Sequence, residues 1–292
     1  MGRGLVAVGR RPGRERGPGG RHRGASSPLR LARDPALGHR ALARLSRTAG
    51  GDSVLKSTAM RGPSFPRRPR GFIFDLDGTL VANMALHEEA FALFTNRHGL
   101  PRLTGDMRAR LDGKRNRDIF PILFERPLSP EEQSRFADEK EQLYRERSRG
   151  RLAPLPGLLR LLDTLERRRL PTALATSAPL ENVAHTLSEL GLTRRLTQVV
   201  RSDTVARGKP HPDVFLAAAQ LIEIRPEDCL AFEDAPAGVL AARAAGMGCV
   251  ALTTSFPAGT FAAHGAEPDA AVPDFDVFLA GPGAWLLEAE AP

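Results

Sequence analysis

No stretch constrains the fold of this chain more than Gly71-Phe72-Ile73-Phe74-Asp75-Leu76-Asp77-Gly78-Thr79-Leu80. Phe72 to Phe74 are an apolar run of β-forming side chains, too short for a helix and closed by the turn signal Asp77-Gly78, so they read as a buried strand. Asp75 and Asp77 then stand at its carboxyl end, the edge at which open α/β sheets take their ligands. Gly78 lets the chain turn sharply and brings backbone N–H groups close to whatever the carboxylates hold. Asp-x-Asp-Gly also opens calcium loops, but those need further acids at short spacing, and Thr79, Leu80, Val81 and Ala82 supply none. An ordinary Asp-Gly turn remains the competing reading of the stretch taken alone. Read chemically, it is a nucleophile or magnesium ligand beside a proton donor.

Beyond the first strand, residues 84–152 turn charged and helical in pattern. Ser129-Pro130-Glu131-Glu132 is a capping box with Pro at the first helical position, starting a helix that runs to about Arg147 with Phe136, Leu143 and Tyr144 as its main apolar contacts. From Pro154 the pattern alternates. Leu158, Leu159, Leu161, Leu162 and Leu165 make an amphipathic helix, and Pro171 to Thr176 a strand. Leu180, Val183, Leu187 and Leu190 form a helix stopped by Gly191. Next come a strand over Leu196 to Val200, a helix over Pro212 to Leu221, a strand over Cys229 to Phe232, a helix over Pro236 to Ala245 and a strand over Cys249 to Leu252. Val272 to Phe275 and the segment around Trp285 read as a last strand and helix. Strands alternating with helices imply an α/β fold, a Rossmann-like parallel sheet with helices on both faces. Residues 66–83 and 153–292 would form that core, with 84–152 an inserted small helical cap.

Net charge bears on the choice of partner. The 292 residues carry 42 Lys/Arg and 34 Asp/Glu, for +8, a balance that looks like a nucleic-acid binder. Residues 1–70 hold 17 of the basic and 3 of the acidic residues, which leaves 25 and 31 for the remainder, a net of −6. The basic character therefore belongs to a tail and argues against nucleic acid as a ligand of the core. Rich in Arg, Gly and Pro, residues 1–65 cannot offset the entropy of folding and read as disordered. Three readings of this tail stay open: an organelle transit peptide, a basic arm touching nucleic acid, and an over-long start, since Met60 lies just before the core. The only cysteines, Cys229 and Cys249, have no Cys/His cluster around them, which excludes a zinc site or a disulfide framework and fits reduced core residues in a cytoplasmic compartment. No apolar stretch approaches the length of a membrane span.

Three later strand ends place polar groups in apolar context. Thr176-Ser177 precedes a helix, where a hydroxyl and free N–H groups suit a phosphate oxygen, although a helix cap would also explain Thr176. Gly208-Lys209-Pro210 sets a lysine in a rigid loop, where a surface lysine is the plain alternative. Phe232-Glu233-Asp234-Ala235-Pro236 puts two acids after an apolar strand. They would repel each other and Asp75 and Asp77 unless a cation lay between them, and a hard oxygen site of that kind suits Mg2+. A capping Asp explains one of these acids and not the pair.

With these four motifs in order over residues 71–278, the chain resembles the haloacid dehalogenase-like hydrolases, specifically members with a helical cap after the first strand, such as β-phosphoglucomutases and sugar-phosphate phosphatases. The resemblance implies Asp75 as the nucleophile on phosphorus and Asp77 as the acid/base. Thr176, Ser177 and Lys209 would hold phosphoryl oxygens. Mg2+ would be bound by Asp75, the backbone carbonyl of Asp77 and Asp234, with Glu233 supporting. A carboxylate can approach a phosphoryl group only after cations neutralise its charge, and Asp77 can donate a proton only if burial and neighbouring acids raise its pKa. The dehalogenases of the superfamily lack an acid where Asp77 stands, and ion-pumping members carry membrane spans, so phosphoryl transfer is what the resemblance implies. Within the cap, His87 lies at the hinge, Gly113-Lys114-Arg115-Asn116-Arg117-Asp118 resembles the specificity loop of the mutases with Asn116 where an arginine usually stands, and Lys140 is expected to point toward the site. For His87, Arg115 and Lys140 a solvated face is the competing reading. The expected protein is a monomeric phosphatase acting on a small phosphorylated metabolite, with a mutase, or a nucleic-acid-associated protein acting through its tail, as alternatives.

Overall fold

Six parallel strands in the order β3-β2-β1-β4-β5-β6 form the sheet: β1 (Gly71–Phe74), β2 (Thr172–Thr176), β3 (Val199–Arg201), β4 (Cys229–Glu233), β5 (Gly248–Leu252) and β6 (Ala270–Val272). This computed structural model describes residues 68–104, 107 and 114–288. The basic tail expected over 1–65 and Gly113 of the cap loop lie outside them. β1 sits between β2 and β4, so the chain leaves the first strand in one direction and later crosses to its other side. That reversal opens a crevice at the carboxyl ends of β1 and β4.

Side chains on successive strand residues point to opposite faces, and the two faces here differ in size. Phe72, Phe74, Leu174, Leu230, Phe232, Val250 and Leu252 pack on one face against α4 (Leu158–Arg167), α5 (Leu180–Glu189) and α9 (Phe275–Ala280). Ile73, Ala173, Ala175, Ala231, Cys249 and Ala251 face α6 (Asp213–Leu221), α7 (Pro236–Ala244) and α8 (Ala258–Ala263). Small alanines on this second face leave room for the fully buried Phe215 and Phe261. Phe74 and Phe232 stack across β1 and β4 with centroids 5.0 Å apart, and truncating either to Ala should cost about 3–5 kcal/mol. Both cysteines are buried and free.

A third cluster belongs to the inserted helices, α1 (Met84–Arg97), α2 (Asn116–Leu123) and α3 (Pro130–Ser148), and is built from Leu86, Phe94, Phe120, Phe136, Leu143 and Tyr144 among others. The capping box is formed: Ser129 Oγ accepts from Glu132 N at 3.2 Å, and Glu132 Oε2 accepts from Ser129 N at 2.9 Å. None of the described helices is long and apolar enough to cross a membrane.

Two strand expectations shift. β3 begins at Val199 rather than Leu196, because Leu196 still belongs to a turn in which its N–H bonds Leu192 O at 3.1 Å while its side chain reaches the core from outside the sheet. The last strand ends at Val272, and Phe275 instead opens α9, capped by Asp274, whose carboxylate accepts from Val277 N at 2.8 Å. Trp285 lies in a short 3-10 turn, Ala284–Leu286, packed against the larger cluster.

Candidate active site

Asp75 directly follows β1, and its N–H bonds Phe232 O at 2.9 Å and so keeps the two central strands in register up to their acidic ends. β4 runs one residue further than the apolar pattern indicates, so Glu233 is its last residue and Asp234 the first beyond it. Oxygens of Asp75, Glu233 and Asp234 lie within 4.8 Å of one another, all three residues buried. Lys209 reaches them from the loop between β3 and α6: its buried ammonium donates to Asp75 Oδ1 and to Glu233 Oε1, each at 2.6 Å. The second oxygen of Glu233 accepts from the backbone N–H groups of Asp234 and Ala235 at 2.7 and 2.8 Å. Glu233 is thereby committed on both oxygens, and Asp75 and Asp234 are the carboxylates better placed to bind a cation.

Charge crowding decides the ionisation of this group. Burial raises Asp75 to about 8; Lys209 opposes the shift, and Glu233 and Asp77 add to it. Burial, with Glu233 and Asp75 adding, likewise pushes Asp234 well above the carboxylate range. The charge on Lys209 is disfavoured by burial, yet Asp75 and Glu233 outweigh that and raise its pKa. Three carboxylates facing one ammonium are a donor set one divalent cation short of balance, all of it hard oxygen, which suits magnesium.

Gly78 makes this closeness possible. It adopts φ +78°, and a Cβ there would fall 1.9 Å from Asp234 Oδ2. Its N–H bonds Val81 O at 2.8 Å and Asn83 Oδ1 at 3.0 Å. Thr254 Oγ1 donates to Gly78 O, and Ser255 Oγ donates to Asp234 Oδ2. Both hydroxyls come from the end of β5, a fourth strand end on the same edge of the sheet.

Asp77 departs from expectation. Its side chain turns away from the acids toward the inserted helices, where Asn83 Nδ2 donates to Oδ1 at 2.6 Å and His87 Nε2 stands 3.6 Å away. Burial raises its pKa, but the His87 ring, Asn83 and Lys140 outweigh that, so the carboxyl lies below its ordinary value and not above it. The raised pKa expected from burial and neighbouring acids is therefore reversed by partners that the motif itself does not contain.

Thr176, at the end of β2, is 1 % exposed, and its Oγ1 accepts from Ala178 N at 3.0 Å. It is not the helix cap, since α5 starts at Leu180 with Pro179 in that position. Ser177 Oγ lies 3.2 Å from Ser202 Oγ. Both residues border a cavity, with about 90 Å³ open to water-sized molecules, whose floor is Asp75, Asp77, Glu233 and Asp234.

Residues of the inserted helices close the cavity from above. His87, Asn116 and Lys140 all line it, and Arg115 does not. Arg115 bonds Asp118 at 2.8 and 3.4 Å and the carbonyl of Ser202 at 3.5 Å, and its Nε lies 2.8 Å from where a Cβ on Gly208 would be. The i,i+3 pairing with Asp118 turns it toward the Lys209 loop. Lys140 Nζ donates to Glu141 Oε1 at 2.9 Å and lies 3.1 Å from His87 Nδ1. The His87 ring stacks on Tyr144 at 3.8 Å, and Tyr144 Oη accepts from Asn83 Nδ2 at 2.5 Å.

Asn83, Glu141, Asn182, Thr254 and Ser255 went unnoticed in the sequence. Asn83 carried a signal as a good N-cap residue just before a helix, although its side chain serves Gly78 and Asp77 instead of the helix. Thr254 and Ser255 were detectable as hydroxyls after a strand end. Glu141 and Asn182 meet only when α3 folds over α5, a contact no local pattern announces.

Residues 69–246 match the family model described as a haloacid dehalogenase-like hydrolase. Over 195 residues the chain is 33% identical to hexitol phosphatase A of Escherichia coli (strain K12), covering 66% of this chain and 86% of that protein. It is 32% identical over 198 residues to the beta-phosphoglucomutase of Bacillus subtilis (strain 168), covering 64% and 85%. A crystal structure of a hydrolase from Pseudomonas syringae superposes with a TM-score of 0.64 at 29% identity, covering 72% of this chain and 96% of that one.

Proposed function

This chain belongs to the haloacid dehalogenase-like hydrolases, and from that premise we propose that it is a magnesium-dependent phosphatase acting on a small phosphomonoester, a sugar phosphate, through an aspartyl-phosphate on Asp75. The observation that carries the reading is the meeting of Asp75, Asp234 and Glu233 at the floor of one cavity, at the carboxyl ends of β1 and β4, with Lys209 bonded to Asp75 and Glu233. A sugar phosphate is favoured over a macromolecular substrate because the cavity is small and covered by the inserted helices, and because relatives such as hexitol phosphatase A act on compounds of that class. In this reading residues 84–152 act as the cap and 66–83 with 153–292 as the catalytic core.

A carboxylate oxygen of Asp75 forms a bond to phosphorus while the bond from phosphorus to the sugar oxygen breaks, and that oxygen takes the proton of Asp77. Water then attacks phosphorus of the aspartyl-phosphate while the bond from phosphorus to the Asp75 oxygen breaks, Asp77 accepts the water's proton, and inorganic phosphate leaves with the Asp75 carboxylate restored. The depressed pKa of Asp77 suits the second step, where it acts as base. In the first step the approaching phosphate dianion raises that pKa, as any nearby negative charge does. Mg2+ held by Asp75, Asp234 and the Asp77 carbonyl would supply the positive charge that lets the carboxylate and phosphate approach. Lys209, fixed by Glu233, supplies the second positive charge, and the Thr176 hydroxyl with nearby N–H groups offers donors to phosphoryl oxygens.

Purified protein should release phosphate from members of a sugar-phosphate panel with Mg2+, lose that activity with chelator, and bind beryllium fluoride at Asp75. Failure on the whole panel together with absence of beryllium fluoride at Asp75 would end the proposal. A phosphoglucomutase is the second reading, favoured by His87 and Lys140 meeting above Asp77. Incubation with β-glucose 1-phosphate and a bisphosphate primer separates the two, since glucose 6-phosphate marks a mutase and inorganic phosphate a hydrolase.

A further inference from the structure

The roof of the cavity is built around an ion pair. Glu141, on α3, is 5 % exposed and lines the cavity next to Lys140, itself 3 % exposed. The lysine is enclosed on three sides: it donates to Glu141 Oε1 at 2.9 Å, lies 3.1 Å from His87 Nδ1, and faces the ring of Phe91, whose centroid lies 4.4 Å from Nζ. Both oxygens of Glu141 are taken as well. Oε1 also accepts from Asn116 Nδ2 at 2.7 Å, and Oε2 accepts from Asn182 Nδ2 at 2.6 Å. Asn182 is in turn held by Arg145 Nη1 at 2.8 Å, so the network ties α2 and α3 to α5 of the core. Burial would push the Glu141 carboxyl up, but Lys140, the His87 ring and Asn116 bring it below its ordinary value, and it stays a carboxylate.

Among the described cap-side cations, Lys140 at the cavity is therefore already committed to Glu141, and Arg115 is drawn to Asp118 and the Lys209 loop. A ligand carrying a second phosphate must place a dianion against this roof when its first phosphate sits over Asp75. Turning Lys140 toward that dianion would take it from Glu141 and leave a buried carboxylate unpaired beside another anion, which is strongly unfavourable. Hydroxyl groups meet no such obstacle, since they carry no charge and can both donate and accept.

We propose that Glu141 is a specificity-determining residue: by pairing with Lys140 inside the roof it confines this site to phosphomonoesters with an uncharged, hydroxyl-bearing far end and turns away sugar bisphosphates. The inference rests on the phosphatase reading and narrows its substrate class. It also separates hydrolase from mutase on physical grounds, because a phosphosugar mutase must hold a bisphosphate intermediate in both orientations.

The test measures kcat/KM for two matched pairs, fructose 1-phosphate with fructose 1,6-bisphosphate and glucose 6-phosphate with glucose 1,6-bisphosphate, on the full chain with Mg2+. The natural protein should prefer the monophosphate by at least about tenfold, equal to about 1.4 kcal/mol. Glu141→Gln should raise kcat/KM for the bisphosphate in absolute terms while lowering it for the monophosphate, which general structural damage would not do. Asn116→Arg, which adds a cation to the roof, keeps the Glu141 carboxylate itself and removes the amide bond to its Oε1, should shift the ratio in the same direction through KM. If Glu141→Gln does not fold, as judged by circular dichroism, Asn116→Arg decides. A natural protein that treats both members of each pair within about twofold overturns the inference and leaves the phosphatase reading standing. Folded variants with an unchanged ratio overturn it in the same way. No turnover of any of the four esters, or of the wider panel, sinks the phosphatase reading and this inference with it.

Discussion

Gly238→Ala isolates how much the position of the Glu233 carboxylate matters, because the change lies in a helix and touches no proposed ligand. Gly238 is the third residue of α7 and has no positive φ, so by intrinsic propensity alone Ala should stabilise it by about 1 kcal/mol. The structure reverses that sign. A Cβ at this position would fall 1.7 Å from Glu233 Oε1, 1.9 Å from Cδ and 2.5 Å from Oε2, so the carboxylate must leave. It would abandon contacts of 2.6 Å with Lys209, 2.7 Å with Asp234 N and 2.8 Å with Ala235 N. Hydrogen bonds to a charged group are worth roughly 1.5 kcal/mol each at the low end, so losing the set costs about 4–5 kcal/mol, and the propensity gain brings the net to about 3–4 kcal/mol of destabilisation. Chemical denaturation of the natural protein and the variant, with the slope checked for constancy, reads this directly. Gly259→Ala is the control: it too is helical, nothing lies within 4 Å of its Cβ position, and its effect should be neutral to slightly stabilising. A Gly238→Ala variant as stable as the natural protein, with unchanged turnover, would refute the claim that Glu233 is held where it is by Lys209 and the two amides.

Ser255→Ala should weaken Mg2+ binding by about 10–100-fold, because the hydroxyl orients Asp234 by donating to its Oδ2; the rise in melting temperature against Mg2+ concentration measures this without turnover, and an unchanged titration curve would remove Ser255 from the site. Metal-free protein should lose stability as pH rises from about 4 toward 8. Asp75, raised from 3.8 to about 8, keeps its proton when folded and loses it when unfolded over that window, so the folded state binds more protons and each rise in pH favours unfolding. Saturating Mg2+ should abolish this slope, and a chelated protein with flat stability across the window would contradict the crowding argument. Asp77 and Glu132 act in the opposite sense: with folded pKa values depressed, in Glu132 from 4.5 to about 2, their contribution is complete above the ordinary carboxyl range and fades as pH falls toward 2. Ser129→Ala, which opens the capping box of α3, should cost about 1 kcal/mol by denaturation and leave kcat unchanged.

What could be read in the sequence was whatever a strand end carries with it. Asp75, Thr176 and Asp234 each end or follow a short apolar run, and a parallel sheet necessarily delivers such positions to one edge, so a local pattern was enough to bring them together, whereas Lys209 joins them from a loop well beyond the end of β3. The side chains that qualify them lie at long range. Asn83 and Tyr144 are separated by 61 residues, yet with His87 they decide that Asp77 turns from the acids and ends with a lowered pKa. Arg115 and Asn116 are neighbours in sequence and part in space, because Asp118 one turn on captures the arginine while Glu141 captures the amide. Lys140 looked like a free cation aimed at substrate for the same reason: its partner Glu141 is the next residue, and adjacent residues on a helix do not ordinarily face each other. They meet here because burial leaves the lysine no solvent and Asn116 and Asn182 hold the carboxylate in place from two other helices. The division follows from the physics of the two parts. Chemistry on phosphorus needs a few charges at fixed strand ends, which periodicity reports, whereas the proposed selection among phosphate esters would depend on which charges are already neutralised by contacts between the inserted helices and the rest of the fold.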